Sequence, residues 1–139
     1  MKIILDTNVF ISGIFWSGPP YQILKAWQQQ KIKLIVSQEI LNEYDRVSKA
    51  LSEKYPAIDL SPFIELLTIH TKIYVPEKLK EPVSRDPDDD KFIACALSAK
   101  VKIIITGDQD LLSVSGYQGI DIMKPGSFVK QGYLSGERR

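Results

Sequence analysis

Short apolar runs alternate along the chain with longer segments in which apolar residues recur every three or four positions. Each run is rich in Ile, Leu or Val and has the length of a buried β-strand. The runs are KIILD at 2–6, KLIVS at 33–37, KIYVP at 72–76, KIIIT at 102–106 and IDIMKP at 120–125. We expect the third run to be an edge strand, because it ends at Pro76, which lacks a backbone N–H group.

The segments between these runs carry helix signals. Ser37 is suited to cap a helix whose apolar residues lie on one side, at Ile40, Leu41, Tyr44 and Val47. Further helices are predicted at PYQILKAWQQQK (20–31), SPFIELLTIH (61–70), DKFIACALSAK (90–100), GDQDLLSV (107–114) and PGSFVKQGYL (125–134). The stretch TNVFISGIFWSGPP (7–20) is predicted to be a turn followed by irregular structure, and EKLKEPVSRDPDDD (77–90) a loop.

This alternation of strands and helices predicts an α/β fold with a parallel sheet covered by helices on both faces. The length of 139 residues is that of one domain, spanning residues 1–139, with enough chain to bury a core. In such sheets ligands bind beyond the carboxyl ends of the strands, where the strand order reverses. The polar residues just past the strand ends are therefore the first candidates for functional residues.

The amino-acid composition excludes few classes of protein. The formal net charge of +1 argues neither for nor against a polyanionic partner, although the C-terminal SGERR is basic. Cys95 is the one cysteine, in an apolar helical segment, so we expect a buried, inert thiol and a cytoplasmic location. We expect no signal peptide before the first strand and no membrane span, because no apolar run approaches about 18 residues.

Acidic residues stand where the predicted sheet would bring them together. Asp6 ends the first strand, and Asp108 lies two residues past Thr106 at the end of the fourth. Glu43 lies on the helix after the second strand, and Asp90 begins the helix before the fourth. A carboxylate at the end of a buried strand is costly unless it is paired or binds a cation. These four acids are therefore the candidate catalytic and metal-binding residues.

The ligand chemistry favours Mg²⁺ or Mn²⁺. Zinc prefers histidine and cysteine ligands, and neither His70 nor Cys95 is beside the acids. Oxygen ligands suit Mg²⁺, which keeps several waters and leaves room for phosphate oxygens. The chain contains no glycine-rich phosphate loop and no nucleophile elbow with a candidate histidine. Metal-assisted hydrolysis of a phosphodiester is the chemistry that such a site supports.

The stretch DPDDDKF at 86–92 places four aspartates in five residues. We interpret Asp90 as the member that faces the site, with Asp88 and Asp89 in the first turn, where a helix N-terminus favours negative charge. Asp86 precedes a proline and is assigned to the loop. The alternative is an acid-rich, solvated helix cap that binds nothing, and the acids at the strand ends weigh against it.

Taken together, these residues resemble the PIN-domain ribonucleases over nearly the whole chain. The resemblance lies in ILDTNVFISG, in EILNEYDRV around Glu43, in RDPDDDKFIACAL and in IIITGDQDLL. It implies a three-layer α/β sandwich with a central parallel sheet of about five strands and Mg²⁺- or Mn²⁺-dependent cleavage of RNA. By position it assigns the metal to Asp6, Glu43, Asp90 and Asp108.

The resemblance also implies supporting residues. Asn8 and Thr106 match polar residues that brace the acids by hydrogen bonds, and Asp88 and Asp110 match auxiliary acids. Alternatives remain, since Asn8 also suits a turn after the strand and Asp110 the first turn of a helix. Arg46 and Lys49, on the helix of Glu43, are candidate RNA-backbone contacts or simply a solvated face.

The residues of these motifs most resemble those of bacterial and archaeal toxins of toxin–antitoxin pairs. This resemblance implies a cognate antitoxin as partner. We also expect a homodimer, because VFISGIFW (9–16) and PYQILKAWQQQ (20–30) supply more large apolar residues than a small core needs, unless they complete that core. Two rival functions remain. One is a phosphoacceptor or phosphatase-like domain that uses Asp6, and the other is a non-catalytic PIN-like module that binds RNA or protein.

Overall fold

The strands form a parallel sheet with an extension at one edge. The computed structural model describes residues 1–134, and the basic tail noted above lies outside the described residues. The strands are β1 (Lys2–Leu5), β2 (Lys33–Leu34), β3 (Val36–Ser37), β4 (Ile73–Tyr74), β5 (Ile103–Ile105) and β6 (Asp121–Met123). Four of them pair in the order β2-β1-β5-β6, and β3 pairs with β4. Because one residue separates β2 from β3, the sheet has five strand positions, and β4 is at its edge as predicted.

Helices cover this sheet, and the α/β fold predicted from the sequence is confirmed. They are α1 (Thr7–Phe15), α2 (Pro19–Gln28), α3 (Gln38–Lys54), α4 (Ser61–His70), α5 (Asp90–Ala99), α6 (Gln109–Leu112) and α7 (Pro125–Lys130). Short 3₁₀ turns lie at Pro87–Asp89 and Tyr117–Gly119. The predicted cap of α3 is confirmed, since the Ser37 hydroxyl oxygen accepts the Ile40 N–H at 3.2 Å. Within the described residues, no helix has the length and apolar character needed to span a membrane.

The first helix was missed by the sequence analysis. The stretch after Asp6 was predicted to be irregular, but Thr7–Phe15 is helical, and the Asp6 carbonyl oxygen accepts the N–H groups of Val9 and Phe10 at 3.0 and 3.1 Å. Its β-branched, aromatic and glycine residues are weak helix formers, so propensity gave little signal. The helix forms because it packs on α2 and α3 and buries Val9, Phe10 and Ile11.

The core holds the end of β1 rigidly beside α3. Tyr44 is fully buried, its hydroxyl donates to the carbonyl oxygen of Leu5, and its ring stacks on Phe10 at a centroid distance of 4.2 Å. Cys95 is also buried, and burial raises the pKa of its thiol to about 12, as expected of an unreactive cysteine. The residue after Leu5 is Asp6, so this packing fixes the position of the first acid.

The strand order reverses between β1 and β5. From β1 the chain passes to β2 on one side, while β5 pairs with the other side of β1 through Ile4–Ile104 and Leu5–Ile105. A crevice at the carboxyl ends of two such strands is the usual ligand site of an open parallel sheet. Asp6 follows β1 and Asp108 follows β5, so both acids lie at this point.

Candidate metal centre

Thr106 links the ends of the two central strands. Its hydroxyl donates to Asp6 Oδ2 at 2.5 Å, and its oxygen accepts the N–H of Asp108 at 2.9 Å. Both Thr106 and Asp6 are buried. Burial raises the pKa of the Asp6 carboxyl above its usual range despite the hydrogen bond from Thr106, and the charges of Asp108 and Glu43 raise it further. Asp6 is therefore a carboxylate that a nearby cation would stabilise.

Two more acids belong to the turn that begins α6. Asp108 is the N-cap residue, and its Oδ1 accepts the N–H of Asp110 at 3.1 Å. This cap turns both side chains toward the crevice side of the sheet, where each is only partly buried. A short helix thus presents two carboxylates from one turn.

The aspartates of DPDDDKF separate into different environments. Asp86 caps the 3₁₀ turn, since its Oδ1 accepts the N–H of Asp88 at 3.0 Å. The carboxylate of Asp90 accepts N–H groups from Val83 and Ser84 at 3.2 and 2.7 Å, so it holds the preceding loop. Asp89 is buried, and it is the member of the stretch that approaches Asp108.

Asp89, Asp108 and Asp110 form the acidic cluster of the crevice. One carboxylate oxygen from each lies within 4.8 Å of the others. Burial raises the pKa of Asp89 to about 7, together with a hydrogen bond and charge repulsion from Asp108 and the charges of Asp86 and Asp6. Asp89 therefore interacts directly with Asp108 and binds its own proton more tightly than an isolated aspartate does.

Glu43 reaches the same end of the sheet from α3 but is bound to other groups. Its Oε1 accepts a hydrogen bond from the Thr7 hydroxyl, and its Oε2 lies 2.7 Å from Lys91 Nζ. Lys91 also contacts Asp88, with Nζ to Oδ2 at 3.0 Å and Nζ to the backbone oxygen at 2.8 Å. Asp88, predicted as an auxiliary acid, thus pairs with a lysine beside the cluster.

The remaining predicted residues have exposed side chains. Asn8 is exposed in the first turn of α1, and none of the described residues forms a hydrogen bond with its side chain. Arg46 is largely exposed, with its nearest guanidinium nitrogen 3.9 Å from Glu43 Oε2. Lys49 is equally exposed and pairs with Asp45 at 2.9 Å. Arg46 is thus the nearer of the two to the acids.

The sequence analysis missed Asp89, Ser84 and Lys91. Asp89 was assigned to the first turn, and Asp90 was favoured because it begins the helix. In the sequence Asp89 directly precedes Asp90, and nothing local distinguishes one aspartate of this run from another. Ser84 contacts both acids, donating its hydroxyl to Asp89 Oδ2 at 3.4 Å and its N–H to Asp90, and nothing in its own sequence context marks it.

The structure is a parallel α/β fold in which carboxylates cluster where the strand order reverses, an arrangement that could hold a cation. The PIN domain family profile matches residues 2–110, and the chain belongs to this family, whose members are usually metal-dependent nucleases. The chain is also 37% identical over 119 residues to the uncharacterized protein MJ1680 of Methanocaldococcus jannaschii, covering 82% of this chain and 75% of the relative. No solved structure matches the chain.

The donor set of the cluster fits a hard divalent cation. All donors of Asp89, Asp108 and Asp110 are carboxylate oxygens, which suit Mg²⁺ and Mn²⁺ rather than zinc. The raised pKa values of Asp6 and Asp89 report repulsion and desolvation that a bound cation would relieve. The cluster is therefore suited to hold a metal ion.

Proposed function

We propose that this protein is a metal-dependent endoribonuclease that hydrolyses RNA phosphodiester bonds. Asp89, Asp108 and Asp110 hold Mg²⁺ or Mn²⁺, with Asp6 beside them at the end of β1. The observation that carries the proposal is the convergence of three carboxylates within 4.8 Å at the switch point of a PIN-domain sheet. When bound, the cation would act as a Lewis acid that lowers the pKa of a water molecule and neutralises charge on a phosphate.

The chain's own residues hold this arrangement in place. Thr106 fixes the Asp6 carboxylate and the backbone of Asp108 at once, so the two strand ends keep a constant spacing. Asp90 positions Asp89 indirectly, because it anchors the loop at 83–84 that precedes the 3₁₀ turn. The acids act by binding and orientation, and none of them is assigned the role of nucleophile. In the proposed ligand set, Asp89 replaces Asp90, because it is Asp89 whose carboxylate oxygen lies within 4.8 Å of those of Asp108 and Asp110.

Arg46 is the proposed contact for the RNA backbone. Its guanidinium group is exposed and lies on the α3 face next to Glu43, where a phosphate close to the centre would pass. Lys49 is one turn further along the same helix and already pairs with Asp45. Phosphate contacts of this kind strengthen binding without selecting sequence, and they weaken as salt increases.

Cleavage of an end-labelled single-stranded RNA tests the proposed activity. We expect wild-type protein to cut it with millimolar Mg²⁺ or Mn²⁺, EDTA to stop the reaction, and Asp6→Asn and Asp108→Asn each to lower the rate by about 100-fold or more. Circular dichroism of the same samples shows whether the variants are folded. RNA binding without any metal-stimulated cleavage would contradict the proposal and favour the non-catalytic module.

We also propose a biological role as the toxin of a toxin–antitoxin pair, restrained by a cognate antitoxin. This proposed role is supported by the residues of the motifs quoted above and by membership of the PIN domain family. Expression of wild-type protein in a growing bacterium should slow growth, and expression of Asp6→Asn to the same level should not. Equal growth of the two cultures would assign the nuclease to RNA processing instead.

A further inference from the structure

Lys91 is a buried lysine at the border of the acidic cluster. It follows Asp90 in the first turn of α5, and its side chain is only 5% exposed. Its ammonium group meets Glu43 Oε2 at 2.7 Å, Asp88 Oδ2 at 3.0 Å and the Asp88 backbone oxygen at 2.8 Å. Three acceptors therefore use the three N–H donors of the ammonium group.

The oxygen atoms around the Lys91 ammonium group are of the kind that surround a bound cation. Removing an ammonium ion from water is expensive, and the cost is offset only by close, well-placed oppositely charged groups. Two carboxylates and a carbonyl oxygen supply them here. The side chain therefore carries a fixed positive charge.

The same contacts hold both oxygens of Glu43 away from the acidic cluster of the crevice. One of its oxygens accepts from Thr7 and the other contacts Lys91, and its side chain is 14% exposed. Glu43 does not belong to the group of acids whose oxygens lie within 4.8 Å of one another. It lies on α3, whereas Lys91 lies on α5, so the pair also ties these two helices together.

We propose that Lys91 is a positioning residue whose ammonium group takes the place of a second metal ion between Glu43 and Asp88. The centre then holds one divalent cation, at Asp89, Asp108 and Asp110, and Glu43 is not one of its ligands. This inference rests on the proposed metal-dependent function. It adds that the site has two positive groups, of which one is the divalent cation and the other is the Lys91 ammonium group.

Counting bound Mn²⁺ by electron paramagnetic resonance tests the inference without any turnover. Wild-type protein should bind one ion, and Lys91→Arg should also bind one, because the guanidinium group keeps the charge. Lys91→Met should bind two, since Glu43 and Asp88 then face each other with no cation between them. Glu43→Gln should lower affinity for the first ion by about tenfold at most, as expected for a group that is not a ligand, against about 100-fold or more for Asp108→Asn.

The outcomes separate the two proposals. Wild-type protein that binds no Mn²⁺ overturns the metal centre and this inference with it. One ion in wild type together with one ion in a folded Lys91→Met overturns the inference alone, as does a second ion in wild type. If Lys91→Met does not fold, Glu43→Gln decides, because a loss of affinity as large as that of Asp108→Asn would make Glu43 a ligand.

Discussion

Asp89 and Asp90 are neighbours in sequence but face different parts of the molecule. Successive residues of a helix differ by about 100° in direction, so two adjacent acids at a helix start rarely share one target. Asp90 holds the backbone at Val83 and Ser84, whereas Asp89 approaches Asp108. The pair therefore offers a matched comparison of a structural and a proposed metal-binding aspartate.

We predict opposite behaviour of Asp89→Asn and Asp90→Asn in thermal melting. Asp90→Asn should lower stability by about 1–3 kcal/mol, because two backbone N–H groups lose a charged acceptor, and should still be stabilised by Mn²⁺. Asp89→Asn should melt higher than wild type without metal, since repulsion at the cluster is relieved, and should gain nothing from Mn²⁺. The reverse pattern, with Asp90→Asn insensitive to metal, would restore Asp90 as the ligand.

The raised pKa of Asp89 predicts how stability depends on pH. The folded-state pKa of Asp89, about 7, lies above the ordinary aspartate pKa of 3.8, so the folded state binds the proton more tightly. This group therefore stabilises the metal-free fold most below about pH 4, and the contribution is lost as pH rises through about 7. Asp6 acts in the same direction.

Melting in EDTA between pH 5 and pH 8 measures this effect. We expect the melting temperature of wild type to fall across the range and that of Asp89→Asn to fall less, because its side chain does not titrate. Millimolar Mg²⁺ should flatten the wild-type curve by replacing the proton on Asp89 with a cation. An identical decline in the two proteins would mean that Asp89 does not titrate in this range.

At the scale of elements, α1 depends on a close approach to α2. A Cβ atom added at Gly13 would lie 2.7 Å from the Leu24 side chain and 2.7 Å from the Pro20 carbonyl oxygen. The backbone oxygen cannot move without moving α2, so the contact requires glycine. This packing, rather than helix propensity, explains why the segment is helical.

We predict that Gly13→Ala destabilises the protein by about 1–3 kcal/mol, although alanine is the better helix former. Gly126→Ala is the matched control, since Gly126 also lies in a helix, α7, and among the described residues no heavy atom beyond its chain neighbours and its own helix backbone lies within 4 Å of the added Cβ. The control should be neutral or more stable by up to about 1 kcal/mol. Urea unfolding of both variants measures the difference, and equal stabilities would show that α1 and α2 can separate at little cost.

Most elements could be predicted from sequence because their signals were local. The β-branched run at Ile103–Ile105 and the Ser37 cap each depend on a few adjacent residues. The approach of Asp89 rather than Asp90 to Asp108 could not be predicted, because Asp90 is held by backbone N–H groups of the loop at 83–84. The contact of Lys91 with Glu43 could not be predicted either, since Glu43 is on a helix distant in sequence.

At the scale of the whole molecule, exposed aromatic side chains are where the predicted homodimer contact would form. Most of the segment after β1 completes the core, but Trp16 is 51% exposed and makes an edge-to-face contact with exposed Tyr55 at 6.1 Å. Tyr21 is also exposed. Trp16 and Tyr55 directly follow α1 and α3, at the opposite ends of these helices from Asp6 and Glu43.

We predict a homodimer at micromolar concentration, measured by light scattering. Trp16→Glu should shift the mass to that of the 15.7 kDa monomer, because it places a charge in the apolar contact. Ile69→Glu is the control, since Ile69 is 70% exposed on a different helix, α4, and should leave the dimer intact. A wild-type protein that is already monomeric would contradict the prediction.

Anomalous scattering from a Mn²⁺-soaked crystal tests the central claim most directly. The account predicts a single peak in the crevice, about 2.0–2.2 Å from carboxylate oxygens of Asp89 and Asp108, with Asp110 or its waters completing the shell. Lys91 should remain bound to Glu43. The absence of a peak at millimolar Mn²⁺, or a peak bound by Asp90 instead of Asp89, would contradict it.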